Sequence, residues 1–278
     1  MKSICRFALA FALSGVATSP ALAQSNDDEV WTGPYVGLQA GARYASGASN
    51  ETLVFDKDLD GQYDDMIATA AAPTVDLFAP GYCDGRAAGD RVGAGCFKDK
   101  DKFDIAAHAG YDKQFGNFVV GLVAEYRYPG LTDSVSGFTS TPDAYVFRRK
   151  LEHELGLRAR AGVAAGNALF YVTGGGAWGK FKSDFITSND DSKFVGSGKS
   201  AAWGWKAGAG VEQKLTPYMS LGVQYLYTKL SPKDFTVRAS GGTAGNPFIT
   251  ANAAGTDIRR SGSDFSSSTF AATLNWRF

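Results

Sequence analysis

Past residue 30 the chain alternates apolar residues with polar or small ones, and a period of two is the signature of β-strands with one apolar face and one polar face. Eight such runs follow one another. The first sets Val36, Leu38, Ala40, Ala42 and Tyr44 against Gly37, Gln39, Gly41 and Arg43. The second sets Phe103, Ile105, Ala107, Ala109 and Tyr111 against Asp104, His108 and Asp112, and the third sets Phe118, Val120, Leu122, Ala124, Tyr126 and Tyr128 against Glu125 and Arg127. In the fourth, Leu151, His153, Leu155, Leu157, Ala159, Ala161 and Val163 oppose Glu152, Glu154, Arg158 and Arg160. The fifth, 169–181, is too rich in glycine for its faces to be assigned. Trp203, Trp205, Ala207, Ala209 and Val211 oppose Lys206 and Glu212 in the sixth. The seventh carries Leu221, Val223, Tyr225 and Tyr227, and the last sets Phe270, Ala272, Leu274, Trp276 and Phe278 against Arg277.

The placement of charge decides what these strands can build. A barrel in lipid is apolar outside and can be polar within, whereas a soluble sandwich points its charges at water. Here Arg43, Asp104, Asp112, Glu125, Arg127, Glu152, Glu154, Arg158, Arg160, Lys206, Glu212 and Arg277 share the small-residue face, six bases against six acids. Aromatic residues gather at strand ends, as membrane interface girdles do. Connections alternate long and short: 46–102, Gly116-Asn117, 129–145, Gly166-Asn167, 183–200, Thr216-Pro217 and 230–264. The expectation is an all-β, closed antiparallel transmembrane barrel of eight strands with short periplasmic turns and long outer loops. Ten strands would result if the first loop supplied another hairpin.

The amino end reads as an export signal, with basic Lys2 and Arg6, apolar 7–16, and Ala21-Leu22-Ala23 as a cleavage site. Residues 1–23 are therefore expected to be removed, leaving 24–278 as the barrel domain. Of 28 basic residues this leaves 26, against 28 acidic ones, a balance that excludes a general nucleic-acid binder. Two cysteines would remain, Cys83 and Cys96, in one polar stretch of an exported chain, and a disulfide between them is expected.

The segments Tyr35-Val36-Gly37-Leu38, 169–179 (LFYVTGGGAWG), 204–215 (GWKAGAGVEQKL), 221–227 (LGVQYLY) and the terminal LNWRF stand out. Together they resemble the small outer-membrane β-barrel, porin-like proteins of Gram-negative bacteria, architecturally related to the OmpA and OmpX transmembrane domains. Gln224 stands where relatives look to have Glu. The terminal Leu274, Trp276 and Phe278 resemble the signal read by the barrel assembly machinery. The resemblance implies an integral outer-membrane location, with membrane lipid, lipopolysaccharide and that machinery as partners.

Asp56, Asp58, Asp60 and Asp64 stand at positions 1, 3, 5 and 9 of a calcium-type loop around the turn glycine Gly61, but Ile67 occupies position 12 where a closing acid belongs. Calcium is the one candidate cofactor. Gly174, Gly176 and Gly179 match a dinucleotide fingerprint by count, but no helix follows. His153 is expected on the lipid side at an interface, and His108 in the lumen between Asp104 and Asp112. No catalytic residues are expected. The function anticipated is a structural barrel for envelope integrity and surface contact, its interior closed by paired charges. A low-conductance porin is the alternative and a lipid-modifying enzyme the third reading.

Overall fold

The computed structural model describes residues 30–46, 50–99, 102–196 and 198–278; the expected signal segment 1–23 lies outside them. In chain order the strands are β1 (Gly33–Ser46), β2 (Leu53–Asp56), β3 (Gly81–Asp84), β4 (Arg86–Ala87), β5 (Cys96–Phe97), β6 (Lys102–Phe115), β7 (Phe118–Arg127), β8 (Leu131–Phe138), β9 (Ala144–Ala165), β10 (Ala168–Thr187), β11 (Lys193–Gly196), β12 (Lys199–Lys214), β13 (Met219–Pro232), β14 (Val237–Ser240), β15 (Thr256–Arg260) and β16 (Phe265–Arg277). Among the described residues no helix is long and apolar enough to cross a membrane.

Eight strands close a ring: β1-β6-β7-β9-β10-β12-β13-β16 and back to β1, every pairing antiparallel. Closure removes both sheet edges, which is what a sheet in lipid requires. The first and last strands meet with Val36 opposite Trp276 and Leu38 opposite Leu274. Two short turns begin at Gly116 and Gly166, both at φ 58°, a conformation that glycine adopts without steric cost. The alternating apolar residues face outward: Leu38, Phe103, Leu122, Leu157, Val172, Trp203, Val223 and Phe270 are all exposed, a surface suited to lipid.

Above the apolar band the outer segments fold. Beyond a break at 128–130, β8 continues β7 upward against the start of β9, and β3 adds beside β8. Strands β11, β14, β15 and β2 form a second, four-stranded sheet. Leu53, Phe55, Ile67, Leu77 and Phe78 from the first outer segment pack with Val135, Tyr145 and Phe147 of the β8–β9 hairpin and with Val237, Phe248 and Ile258. The long loops are thus a cap with its own core. Strand β3, the extra strand from the first loop, joins the sheet above the membrane, so the barrel remains eight-stranded. Cys83 and Cys96 form the expected disulfide, closing a loop of sequence separation 13 around the β4–β5 hairpin.

Candidate functional site

The lumen is filled from bottom to top in layers, and each layer follows from which residue the alternation turns inward. At the periplasmic mouth Trp31, fully buried, packs against Val119, Ala164, Leu169 and Tyr171. Its backbone N–H donates to Gln114 Oε1 (2.9 Å) and its carbonyl accepts from Arg277 Nη1 (2.5 Å). The cations of Lys214 and Arg277 lie 5.4 and 5.5 Å from its ring centre.

Asp112 organises the next layer. It accepts from Arg160 Nε (2.8 Å) and Arg277 Nη2 (2.8 Å), while Arg160 Nη1 reaches Glu212 at 3.0 Å. Arg160 also stacks between Tyr35 and Tyr171, 4.8 and 5.0 Å from their ring centres. These two tyrosines occupy space that glycine leaves: a Cβ at Gly110 would lie 2.5 Å from the Tyr35 ring, and one at Gly210 would lie 2.5 Å from the Tyr171 hydroxyl. Inward glycines here make room for neighbouring side chains.

A neutral hydrogen-bonded layer follows. Gln224 Nε2 donates to Gln39 Oε1 (2.5 Å), an amide-to-amide link. His108 is buried as expected, but its ring nitrogens meet Gln39 (3.1 Å) and Asn275 (2.5 Å). The carboxylates of Asp104 and Asp112 are engaged by arginines instead.

The upper charge cluster centres on Glu125, which meets Lys206 (2.5 Å), Arg127 (3.0 Å) and Arg158 (3.2 Å). Glu154 binds Arg43 (2.5 Å) and Lys206, and Asp104 binds Arg127. Arg43 also donates to Ser267 Oγ (3.0 Å). Charges this deeply buried are tolerated only when paired.

Glu152 does not join them. The β9–β10 register shifts between Lys180 and Phe181, whose partners are His153 and Leu151, so Glu152 is the extra residue of a β-bulge. It is half-buried, and among the described residues it pairs with none of these cations. The same bulge turns Leu151 inward, against expectation. Leu131, Leu151, Ala177, Phe181, Ala202, Leu230 and Phe265, each at most 3% exposed, form an apolar layer across the outer end of the lumen.

Above that layer a second buried ion-pair group joins barrel to cap. Asp133 accepts from Arg149 Nε (2.7 Å) and Arg260 Nη2 (2.9 Å), Glu51 pairs with Arg260, and Arg149 lies over the Phe265 ring at 5.4 Å. Burial alone would raise the Asp133 pKa, but the two guanidiniums outweigh it and hold this carboxyl below its ordinary value.

In the calcium-type loop, oxygens of Asp56, Asp58 and Asp60 lie within 4.8 Å of one another, so these three expected ligands converge. Asp64 does not join them; it is exposed. Asp65 instead accepts from the Lys57 backbone N–H (2.7 Å). Ile67 replaces a closing acid because it belongs to the cap core, fully buried. His153, on the lipid face, is hydrogen-bonded to the Tyr126 hydroxyl (2.8 Å) and flanked by Tyr128.

Trp31 and the Asp133–Arg149–Arg260–Glu51 group had no place in the alternation. Trp31 precedes the first run, and its one signal is a lone tryptophan just before a strand. Glu51, Asp133 and Arg260 come from segments that read as loops, and Arg149 stands just before the fourth run.

A closed antiparallel ring with an apolar exterior, a polar interior and short turns at one end defines an integral outer-membrane β-barrel. The chain belongs to the outer membrane protein beta-barrel domain family, which it matches over residues 9–278. It is 29% identical over 246 residues to a 31 kDa outer-membrane immunogenic protein of Brucella melitensis, covering 84% of this chain and 89% of the relative. It is also 30% identical over 150 residues to a 25 kDa outer-membrane immunogenic protein of Brucella abortus, covering 54% of this chain and 62% of that one. Among solved structures it is similar to the outer membrane protein OprG from Pseudomonas aeruginosa, at a TM-score of 0.47 and 12% identity over 89% of this chain and 97% of that one.

Proposed function

We propose that this barrel is a closed, non-catalytic anchor that contributes to envelope integrity and holds a folded cap at the cell surface. The observation that carries the reading is the apolar layer of Leu131, Leu151, Phe181, Leu230 and Phe265 between the lumenal charges and the cap. Water and ions crossing the lumen would have to pass that layer, the charge clusters beneath it and the Trp31 plug. Of the gaps left by lumenal glycines, those at Gly110 and Gly210 are taken by Tyr35 and Tyr171. Against an enzyme, the lipid-side His153 has a tyrosine hydroxyl as its hydrogen-bond partner, which does not supply the nucleophile and oriented base of a hydrolytic site.

The test is solute permeation. Proteoliposomes carrying the folded chain are expected to swell in isotonic arabinose no faster than protein-free liposomes. Swelling that rises with the amount of protein inserted would replace this reading with the porin. The calcium loop adds a proposal of its own: Asp56, Asp58 and Asp60 supply hard oxygen ligands suited to calcium.

A further inference from the structure

The outer surface carries an asymmetry of charge that neither the sealed lumen nor the cap core uses. On β9, β10 and β12, Lys150, Lys182 and Lys199 lie directly opposite one another, Lys150 with Lys182 and Lys182 with Lys199. All three point outward, because Leu151 beside Lys150, Phe181 beside Lys182 and Ala202, three positions on from Lys199, turn inward. Lys180, opposite His153 and Ala201, lies one outward position closer to the membrane.

The chain does little to neutralise this row. Asp184 meets Arg148 at 3.0 Å and Lys182 at 3.7 Å. Among the described residues no carboxylate lies within ion-pair distance of Lys150, Lys180 or Lys199. Like charges directly opposite on neighbouring strands destabilise a sheet, so three lysines in register across three strands call for an anion from outside the chain.

Height on the barrel identifies where that anion resides. Outward residues of β10 run Phe170, Val172, Gly174, Gly176 and Trp178, and then Lys180 and Lys182. The ten residue steps from Phe170 to Lys180 cover roughly 25 Å along the membrane normal, at about 3.3 Å per residue and a tilt of about 40°. That is the height of the apolar band of such barrels, about 25 Å. Lys180 therefore stands at the upper edge of the hydrocarbon, just above Trp178 and Trp203, and the three-lysine row stands in the headgroup layer. Elsewhere on the outer wall Lys229 is paired with Asp264 at 2.7 Å.

We infer that Lys150, Lys180, Lys182 and Lys199 form a docking surface for a phosphorylated glycolipid of the outer leaflet, its phosphates on the lysines and its acyl chains along the wall below Trp178 and Trp203. Lysine suits phosphate as a mobile point charge, and the neighbouring aromatic residues sit at headgroup depth.

The experiment uses the full mature chain folded in detergent micelles, with bis-phosphorylated lipid A as the probe. Lipid A stripped of both phosphates and inorganic pyrophosphate are run beside it. The wild-type chain is expected to bind the phosphorylated lipid at least tenfold more tightly than the stripped one, with a preference that weakens as salt rises. The variant Lys150→Gln/Lys180→Gln/Lys182→Gln/Lys199→Gln is expected to lose that preference, and Lys193→Gln/Lys233→Gln on the cap to keep it. Heat-modifiable migration on gels establishes that each variant is folded; should the fourfold variant fail, Lys180→Gln/Lys199→Gln is expected to lose at least half of the preference on a logarithmic scale. No preference in the wild type, or a preference that survives in the folded variants, overturns the inference. Pyrophosphate binding as tightly as the lipid would also overturn it, in favour of a site for free phosphate.

Discussion

Glu125 and Glu152 share one face in the pattern of alternation and differ in their surroundings, because Glu152 is the extra residue of a bulge. Glu125 is fully enclosed by Lys206, Arg127 and Arg158, and removing its charge leaves three buried cations short of a partner. Glu125→Gln is expected to cost about 3–5 kcal/mol, whereas Glu152→Gln, on the bulge, is expected to stay within about 0.5 kcal/mol. Urea unfolding of the refolded barrel, followed by tryptophan fluorescence, separates the two; equal losses would contradict the placement of the bulge. At the same scale, calcium is expected to raise the thermal unfolding temperature of the cap, and to have no effect on Asp58→Ala/Asp60→Ala. Identical responses would remove calcium from the account. Most lumenal charges were legible residue by residue because a period of two assigns each to a face without knowledge of its partners. Glu152 and Leu151 were not, because one inserted residue reverses every face beyond it and alternation alone cannot locate the insertion.

The strands that cross the membrane and those that build the cap obey different constraints. Each crossing strand meets lipid on one side and lumen on the other, so its sequence alternates and its existence can be read. Cap strands such as β2, β11, β14 and β15 are four or five residues long and share a core drawn from distant segments. Nothing local marks them, and segments read as outer loops contain a hydrophobic core. The Asp133–Arg149–Arg260–Glu51 group ties this cap to the barrel and gives it a pH dependence. The Asp133 pKa is held below its unfolded value, so its contribution is fully present above that value, near 4, and is lost as pH falls through the lower folded value. Below about pH 4, protease cleavage between residues 50 and 99 is expected to accelerate while the barrel stays folded. Asp133→Asn is expected to be susceptible already at neutral pH and to lose that part of the acid response; an unchanged pH profile would show that another group governs the seam.

For the whole molecule, the layers act in series. Six lumenal bases, Arg43, Arg127, Arg158, Arg160, Lys206 and Arg277, face five acids once Glu152 is set aside: Asp104, Asp112, Glu125, Glu154 and Glu212. With Lys214 as a further base at the periplasmic mouth, the interior carries an excess of positive formal charge, which becomes consequential only where ions can enter. Phe181→Ala/Leu230→Ala combined with Trp31→Ala removes two large side chains of the apolar layer and the periplasmic plug and is expected to admit an anion-selective leak, read from the reversal potential in a salt gradient. The measurement that tests the closed barrel most directly is single-channel current from the folded wild-type chain in a planar bilayer. The account predicts a silent baseline from protein whose folding is established by heat-modifiable migration, and reproducible unitary steps from that same protein would contradict it.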